Sequence, residues 1–432
     1  MNNSIWLKDV EIPEYKALNG DIKADVLVIG GGITGIITAY CLNKRGINCI
    51  LVEKNRILNG VTAGTTGKIT AQHGLIYSKL LKNEGLSVAE GYLRANLEAV
   101  EEYKKLCAEI DCDFKICDNI VYSTNNKYEL DEEISALEKM GYSANLSENL
   151  NLPFKNFGGV RFSKQAQFHP LKFLKEIAKE IKVFENTMVL DIVKNVAVTN
   201  KGKITAKKII MATHFPFIDR YGAYFLKLYQ NRSLAIAISG NYINDEMFVS
   251  SDDKGFSLRQ YKDNLIIIGS SHRTGKNNAG FRHLRNFASE YYCDFKERFS
   301  WAAQDCISLD NKAYIGVYSK LAPNLLVATG FNKWGITGSM VAAKLLCDLC
   351  EDRKNPYSEI FSPSRSILKP QLFINSFESA TNLLNPFGKR CAHLGCKLKW
   401  NKQERSWDCS CHGSRFDKNG NILNNPANKK IR

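Results

Sequence analysis

The sequence predicts an α/β chain in three parts: a doubly wound parallel sheet, an antiparallel sheet inserted into it, and a small all-β region at the C-terminus. Three observations carry this. "ADVLVIGGGITGIITAYCLNKRGINCILVEKN" (24–55) reads as strand, glycine turn, helix and strand. "SLAIAIS" (233–239), "FSLRQY" (256–261) and "LIIIGS" (265–270) read as successive strands, the last two joined by a turn at Lys262-Asp263-Asn264. "CAHLGCKLKWNKQERSWDCSCHGSRF" (391–416) gathers four cysteines and two histidines in 26 residues.

The 432 residues are enough for two or three domains, and 44% apolar with 24% charged residues is ordinary globular composition. "MNNSIWLKDVEIPEYKALNG" has no apolar run, so no cleaved leader is expected. The most apolar stretch, "VLVIGGGITGIITAY", is too short and glycine-rich to cross a membrane. A cytoplasmic protein without stable membrane insertion is the expectation. The net charge of +15 comes without a basic helix or arginine-rich tract, so no nucleic-acid partner is expected. Residues 386–432, however, hold 11 Lys/Arg against 3 Asp/Glu. Of thirteen cysteines, nine are scattered in apolar or helical contexts and read as inert buried thiols.

In the first segment, Val26–Ile29 is a strand buried on both faces. Gly30 makes a tight turn, Gly32 lets backbone approach a pyrophosphate, and Gly35 lets the helix pack closely. Ile33 and Thr34 open the helix, whose N-terminus offers amides and a positive dipole end to phosphate. A second strand, Cys49–Val52, ends at Glu53, placed to accept from a ribose diol. This is a Rossmann-type dinucleotide site. "KKIIMATHFPF" (207–217) adds a strand, and "NLLVATGFNKWGITGSMVAAKLLCDL" (324–349) adds another, then Gly330 and a helix beginning near Thr337.

"SIWL" at 4–7, the glycine turn, "TAGTTGKITAQHG" at 62–74 and "VATGFNKWGITG" at 327–338 resemble the FAD-dependent oxidoreductases related to D-amino-acid and glycine oxidases. The resemblance spans roughly residues 1–355 and implies FAD rather than NAD. It places the flavin ring near Thr65, Thr66, Lys68 and Gln72, and near Gly330, Trp334, Gly335, Ile336 and Thr337. It implies an FAD-binding part at about 20–80, 185–218 and 300–353, with a substrate part at about 85–184 and 219–299. Arg259, Tyr261, His272, His214 and Trp334 are the candidates for the substrate cavity. Amino-acid oxidases of this family usually hold the substrate carboxylate with an arginine. In the matching stretch "WAAQDCISLDNKAYIG" (301–316), Gln304 and Asp305 stand where it is expected, and Ala313 replaces a proline. That departure favours an amine over a simple α-amino acid.

In the tail, Cys391-x-His393 and Cys409-x-x-His412 suit either zinc or a 2Fe–2S cluster with two cysteines on one iron and two histidines on the other. "CAHLGC" and "CSCHGS" resemble Rieske proteins of the cytochrome-complex type. The resemblance implies Cys391, His393, Cys409 and His412 as cluster ligands and a disulfide between Cys396 and Cys411. It implies a hydrogen bond from Ser414 to a bridging sulfide, while Phe416 replaces a tyrosine donor, which lowers the expected potential. Residues 356–385 read as linker with at most one short helix, leaving 386–432 as a shortened Rieske domain. The expected whole is an FAD dehydrogenase for a small amine or amino-acid-like substrate. Its electrons leave singly through the cluster to a carrier such as an acidic ferredoxin or flavodoxin. The alternatives are an oxygen-using oxidase with a structural Fe–S or zinc tail, and a redox sensor.

Overall fold

The computed structural model describes residues 4–276 and 280–431. Its first sheet has eight strands, and four of its central pairings are parallel: Ile22–Ile29 lies between Cys49–Val52 and Gly202–Met211, with Lys182–Phe184 and Ala322–Thr329 outside them. Helix Ile33–Lys44 packs against helix Gly335–Cys350. Two of the glycines have the geometry expected of them. Gly30 has φ +114°, and a Cβ on Gly35 would lie 1.9 Å from the Gly30 carbonyl oxygen.

The second sheet has nine strands. Leu228–Ser239 sits between Glu297–Ser308 and Asn264–Arg273, antiparallel to both. Ser257–Tyr261 and Asn264–Arg273 form the expected hairpin, with Tyr261 paired to Asn264. The sheet is not wholly antiparallel, because Met247–Ser250 runs parallel to Lys115–Tyr122. The tail is a four-stranded antiparallel sheet, Leu398–Asn401, Ser406–Cys409, Arg415–Phe416 and Ile422–Asn424. Its small core joins Leu398, Phe416, Ala427 and Ile431 to the four tail cysteines.

Between body and tail the structure departs from the expected linker. Ser358–Phe361 and the fifteen-residue Pro370–Leu384 are both helical. Arg365 anchors this segment to the body, forking onto Asp310 at 2.7 Å through two nitrogens and donating to the Lys312 and Ala313 carbonyls. The long helix was missed because its polarity is inverted. Asn375 and Asn382 are buried, Asn375 accepting from Arg273 of the second sheet at 2.9 Å and Asn382 donating to the Glu378 carbonyl of its own helix, whereas Phe373, Phe377 and Leu384 are 69%, 72% and 82% exposed.

Three residues expected at the flavin or substrate belong instead to the framework. Arg259 is fully buried, its Nε donating to Gln167 Oε1 (2.6 Å) and its other nitrogens to the carbonyls of Phe168 and Thr66. Its guanidinium lies over the Trp6 and Tyr261 rings, and the Tyr261 hydroxyl donates to Asp113 at 2.7 Å. A charge bonded through all three of its nitrogens and walled by aromatic rings knits the sheet to the N-terminal turn, and it does not line the cavity. Gln72 is likewise buried, donating to the Val160 carbonyl and accepting from Asn119. Arg259→Met should lower unfolding stability by about 3 kcal/mol, because it strands buried carbonyls. Chemical denaturation measures this, and the folded fraction should still bind FAD.

Candidate functional site

A cavity of about 1220 Å³ runs between the N-termini of helices Ile33–Lys44 and Gly335–Cys350 and under the second sheet. At one end lie Gly30, Gly32, Ile33, Thr34 and Glu53. Gly35 sits beneath the turn and gives the helix its close approach. Thr62 Oγ1 accepts from the Ile33 amide at 3.0 Å. Glu53 accepts from the amides of Gly31 (2.8 Å) and Asn55 (3.0 Å), so its carboxylate is held at the end of the strand where a ribose diol would meet it. These donors and the side-chain-free turn fit the pyrophosphate and adenosine of FAD.

At the other end the cavity is lined by Thr65, Thr66, Lys68, Trp334, Gly335 and Ile336. Trp334 stacks on His73, centroids 4.8 Å apart and planes 11° apart. His73 is neutral, because burial pushes its pKa down to about 3, and it bonds Tyr92 and Thr337. Thr337 therefore supports His73 and edges a small adjoining void, while Gly330 turns the chain below with φ +70°. Of the neighbours Gln72 and His73 in "TAGTTGKITAQHG", it is His73 that lines the cavity.

The roof comes from two paired strands. Asn231 faces Asp305, and Ser233 faces Ala303, all four lining the cavity. His272, His214 and Ser271 join them. Lys333 donates to Ser271 at 2.7 Å. Sequence reading passed over it, although it stands inside "VATGFNKWGITG". The Asp305 carboxyl is pushed up to about 6 by burial, with Lys333 and Arg232 drawing it back. His214 is held neutral by burial at about 4.

The alternate residues of the same strands point to the tail. Gln304 Nε2 donates to the Gly413 carbonyl (2.8 Å), and Gln230 Nε2 donates to the carbonyls of His412 (2.8 Å) and Asn425 (2.9 Å). Arg232 pairs with Glu404, and Arg273 donates to the carbonyls of Ser410 and Cys411. From the tail, Asn425 reaches back to the carbonyls of Thr213 and Phe215.

Within the tail the four expected ligands converge. The His393 and His412 rings lie 5.0 Å apart at 90°. His393 Nδ1 and both nitrogens of His412 are buried without a protein partner, as nitrogens awaiting a metal would be. The Cys409 thiol is drawn well down by the thiols around it, Cys391 first. Two thiols and two orphaned imidazoles fit the split donor set of a Rieske cluster. The implied Cys396–Cys411 disulfide is not formed. Both are free thiols, their sulfurs gathered with that of Cys409 within 4.8 Å, in contact but not covalently joined. Ser414 accepts from the Ala427 amide, and Phe416 is fully buried.

A dinucleotide turn, a long cavity and a Cys/His loop pair locked to one body define a two-cofactor redox protein. The FAD dependent oxidoreductase profile (DAO) matches residues 25–349, and the Rieske [2Fe-2S] domain profile matches residues 372–432. A Bacillus subtilis protein named as the Rieske 2Fe-2S iron-sulfur protein YhfW is 36% identical, covering 99% of this chain and 96% of its own. Glycine oxidase from Geobacillus kaustophilus superposes with TM-score 0.67 at 19% identity, covering 80% of this chain and 99% of its own. L-proline dehydrogenase from P. horikoshii gives 0.67 at 18%, covering 81% and 98%. The chain belongs to the FAD-dependent oxidoreductase family and carries a C-terminal Rieske domain, with FAD and a 2Fe–2S cluster as cofactors. Among the described residues, no helix is long and apolar enough to cross a membrane.

Cys409→Ser should abolish bound iron and the reduced-cluster electron paramagnetic resonance signal while leaving FAD content unchanged. Iron, sulfide and flavin assays on one sample check this.

Proposed function

We propose that the protein dehydrogenates a small amine or amino-acid-like substrate and passes the electrons singly through its cluster to an external carrier. The observation that carries this is the division of labour along strand Glu297–Ser308. Asp305 lines the flavin cavity while its neighbour Gln304 holds the cluster loop. Relatives named as glycine oxidase and D-amino acid dehydrogenase support a C–N donor.

FAD, when bound, supplies a hydride acceptor for a substrate C–H bond next to nitrogen. The residues of the chain orient the substrate. Asp305 would receive a substrate ammonium, and Lys333, which also lines the cavity, would receive a carboxylate where one is present. The arginine expected to hold a carboxylate is replaced by a glutamine committed to the tail. A primary or secondary amine is therefore accepted with or without a carboxylate. His272 and Trp334 supply the remaining walls.

The electron outlet is basic. Lys389, Arg390, Lys399 and Lys402 are all exposed around the tail. They suit an acidic carrier of the ferredoxin or flavodoxin kind, docked by charge. Cytoplasmic residence is the natural setting for such a carrier.

The testing experiment is anaerobic mixing of the loaded protein with a panel of amines and amino acids. Flavin bleaching followed by the reduced-cluster signal is expected. Bleaching with a silent cluster, followed by rapid reoxidation once air is admitted, would indicate an oxidase, and no bleaching with any donor would indicate a sensor. Since Asp305 is protonated below about pH 6 and ionised above it, the apparent affinity for an ammonium substrate should rise as pH increases through 6. Asp305→Asn should flatten that limb and weaken binding about tenfold, the equivalent of about 1.4 kcal/mol. Electron transfer to an acidic carrier should slow as ionic strength rises.

A further inference from the structure

The cluster loops meet the body at one charged contact that the redox reading does not use. Asp219 lies in the loop between strand Gly202–Met211 and the short helix Tyr224–Lys227. His393 Nε2 is 3.0 Å from Asp219 Oδ2 and 3.2 Å from Oδ1. The His393 side chain is 4% exposed and Asp219 31%. Among the described residues, His393 is the sole ion-pair partner of Asp219, since the adjacent Arg220 is committed to Asp191 and the Ile192 carbonyl. The second histidine has no counterpart. His412 packs edge-on against Phe215 and Phe225, and neither of its nitrogens has a protein partner. Phe215, wholly buried, lies against both rings at 6.3 and 6.4 Å between centroids. The two histidines are therefore held alike by packing and differ by one carboxylate.

We propose that Asp219 is the positioning residue for cluster ligand His393, latching the tail to the flavin body and setting the cluster's reduction potential. By accepting from Nε2–H it fixes the tautomer that leaves Nδ1, the orphaned nitrogen, free for iron. A carboxylate on the distal N–H also makes the imidazole a stronger donor, which favours the oxidised cluster. A bound cluster would therefore be harder to reduce with Asp219 in place, and its midpoint would lie lower. The contact joins residues 174 apart in sequence, so it exists only while the tail is docked. The proposal rests on the tail being a cluster site and not on the direction of electron flow or the substrate.

The test uses the full-length protein carrying FAD and iron, with Asp219→Asn and Asp219→Glu beside the wild type. Cluster potential is read at one fixed pH by dithionite titration with mediators, without substrate, so failure of the dehydrogenase reading leaves the measurement intact. Asp219→Asn should keep two irons per chain, raise the midpoint and shift the reduced-cluster g-values. It should also expose residues 354–390 to faster limited proteolysis. Asp219→Glu should return all three towards wild type. If Asp219→Asn costs the cluster altogether while Asp219→Glu keeps it, the positioning role still stands. An unchanged midpoint and spectrum in Asp219→Asn with full iron would overturn it. Equal loss of iron from both variants would also overturn it, because shape and not the carboxylate would then be what matters.

Discussion

The two-residue period of a β-strand is what the redox architecture depends on. Successive side chains of a strand leave opposite faces. In the pair Leu228–Ser239 and Glu297–Ser308 this alternation is unbroken where it matters: Asn231, Ser233, Ala303 and Asp305 face the flavin cavity, while Gln230, Arg232 and Gln304 face the tail. One ribbon is thus the roof of one site and the floor of the other. A register slip of a single residue would exchange the two sets and ruin both sites together.

The tail is held by buried polar contacts rather than by an apolar seam. Gln230 and Gln304 are 1% and 2% exposed, and their amides end on backbone carbonyls of the ligand loops. Lifting the tail away would leave these groups without their partners, each at a cost of about 1–3 kcal/mol unless water replaced them. Such contacts are directional, so they fix orientation as well as attachment. A tail of this size has a core of a few side chains and depends on its metal and its docking for stability. The helix Pro370–Leu384 is held by a polar contact too, since its buried Asn375 accepts from Arg273.

Some polar residues carry no chemistry despite looking suited to it. Arg259 and Tyr261 stand on a strand of the correct sheet, and Gln72 lies beside a cavity residue. In each case the side chain is consumed by internal partners. Conversely, Asp305 and Lys333 look unremarkable in sequence and gain their importance from lining the same cavity within electrostatic reach of one another.

The sequence by itself determined the parts whose physics is local. The glycine turn with its strand–helix–strand frame is contiguous, because backbone approach to a phosphate needs residues missing side chains at fixed short spacing. The ligand quartet Cys391, His393, Cys409 and His412 is legible for the same reason, as are the hairpin at Lys262–Asp263 and the small β tail. Tertiary structure alone decided the rest. It showed which face of a strand lines the cavity, that Gln304 bonds the Gly413 carbonyl of the tail, and that Asp219 meets a histidine 174 residues away. It also showed that a helix could bury its asparagines. Those outcomes depend on pairings between distant segments, where burial and the remaining hydrogen-bond partners fix each side chain's task, and no short window of sequence contains them.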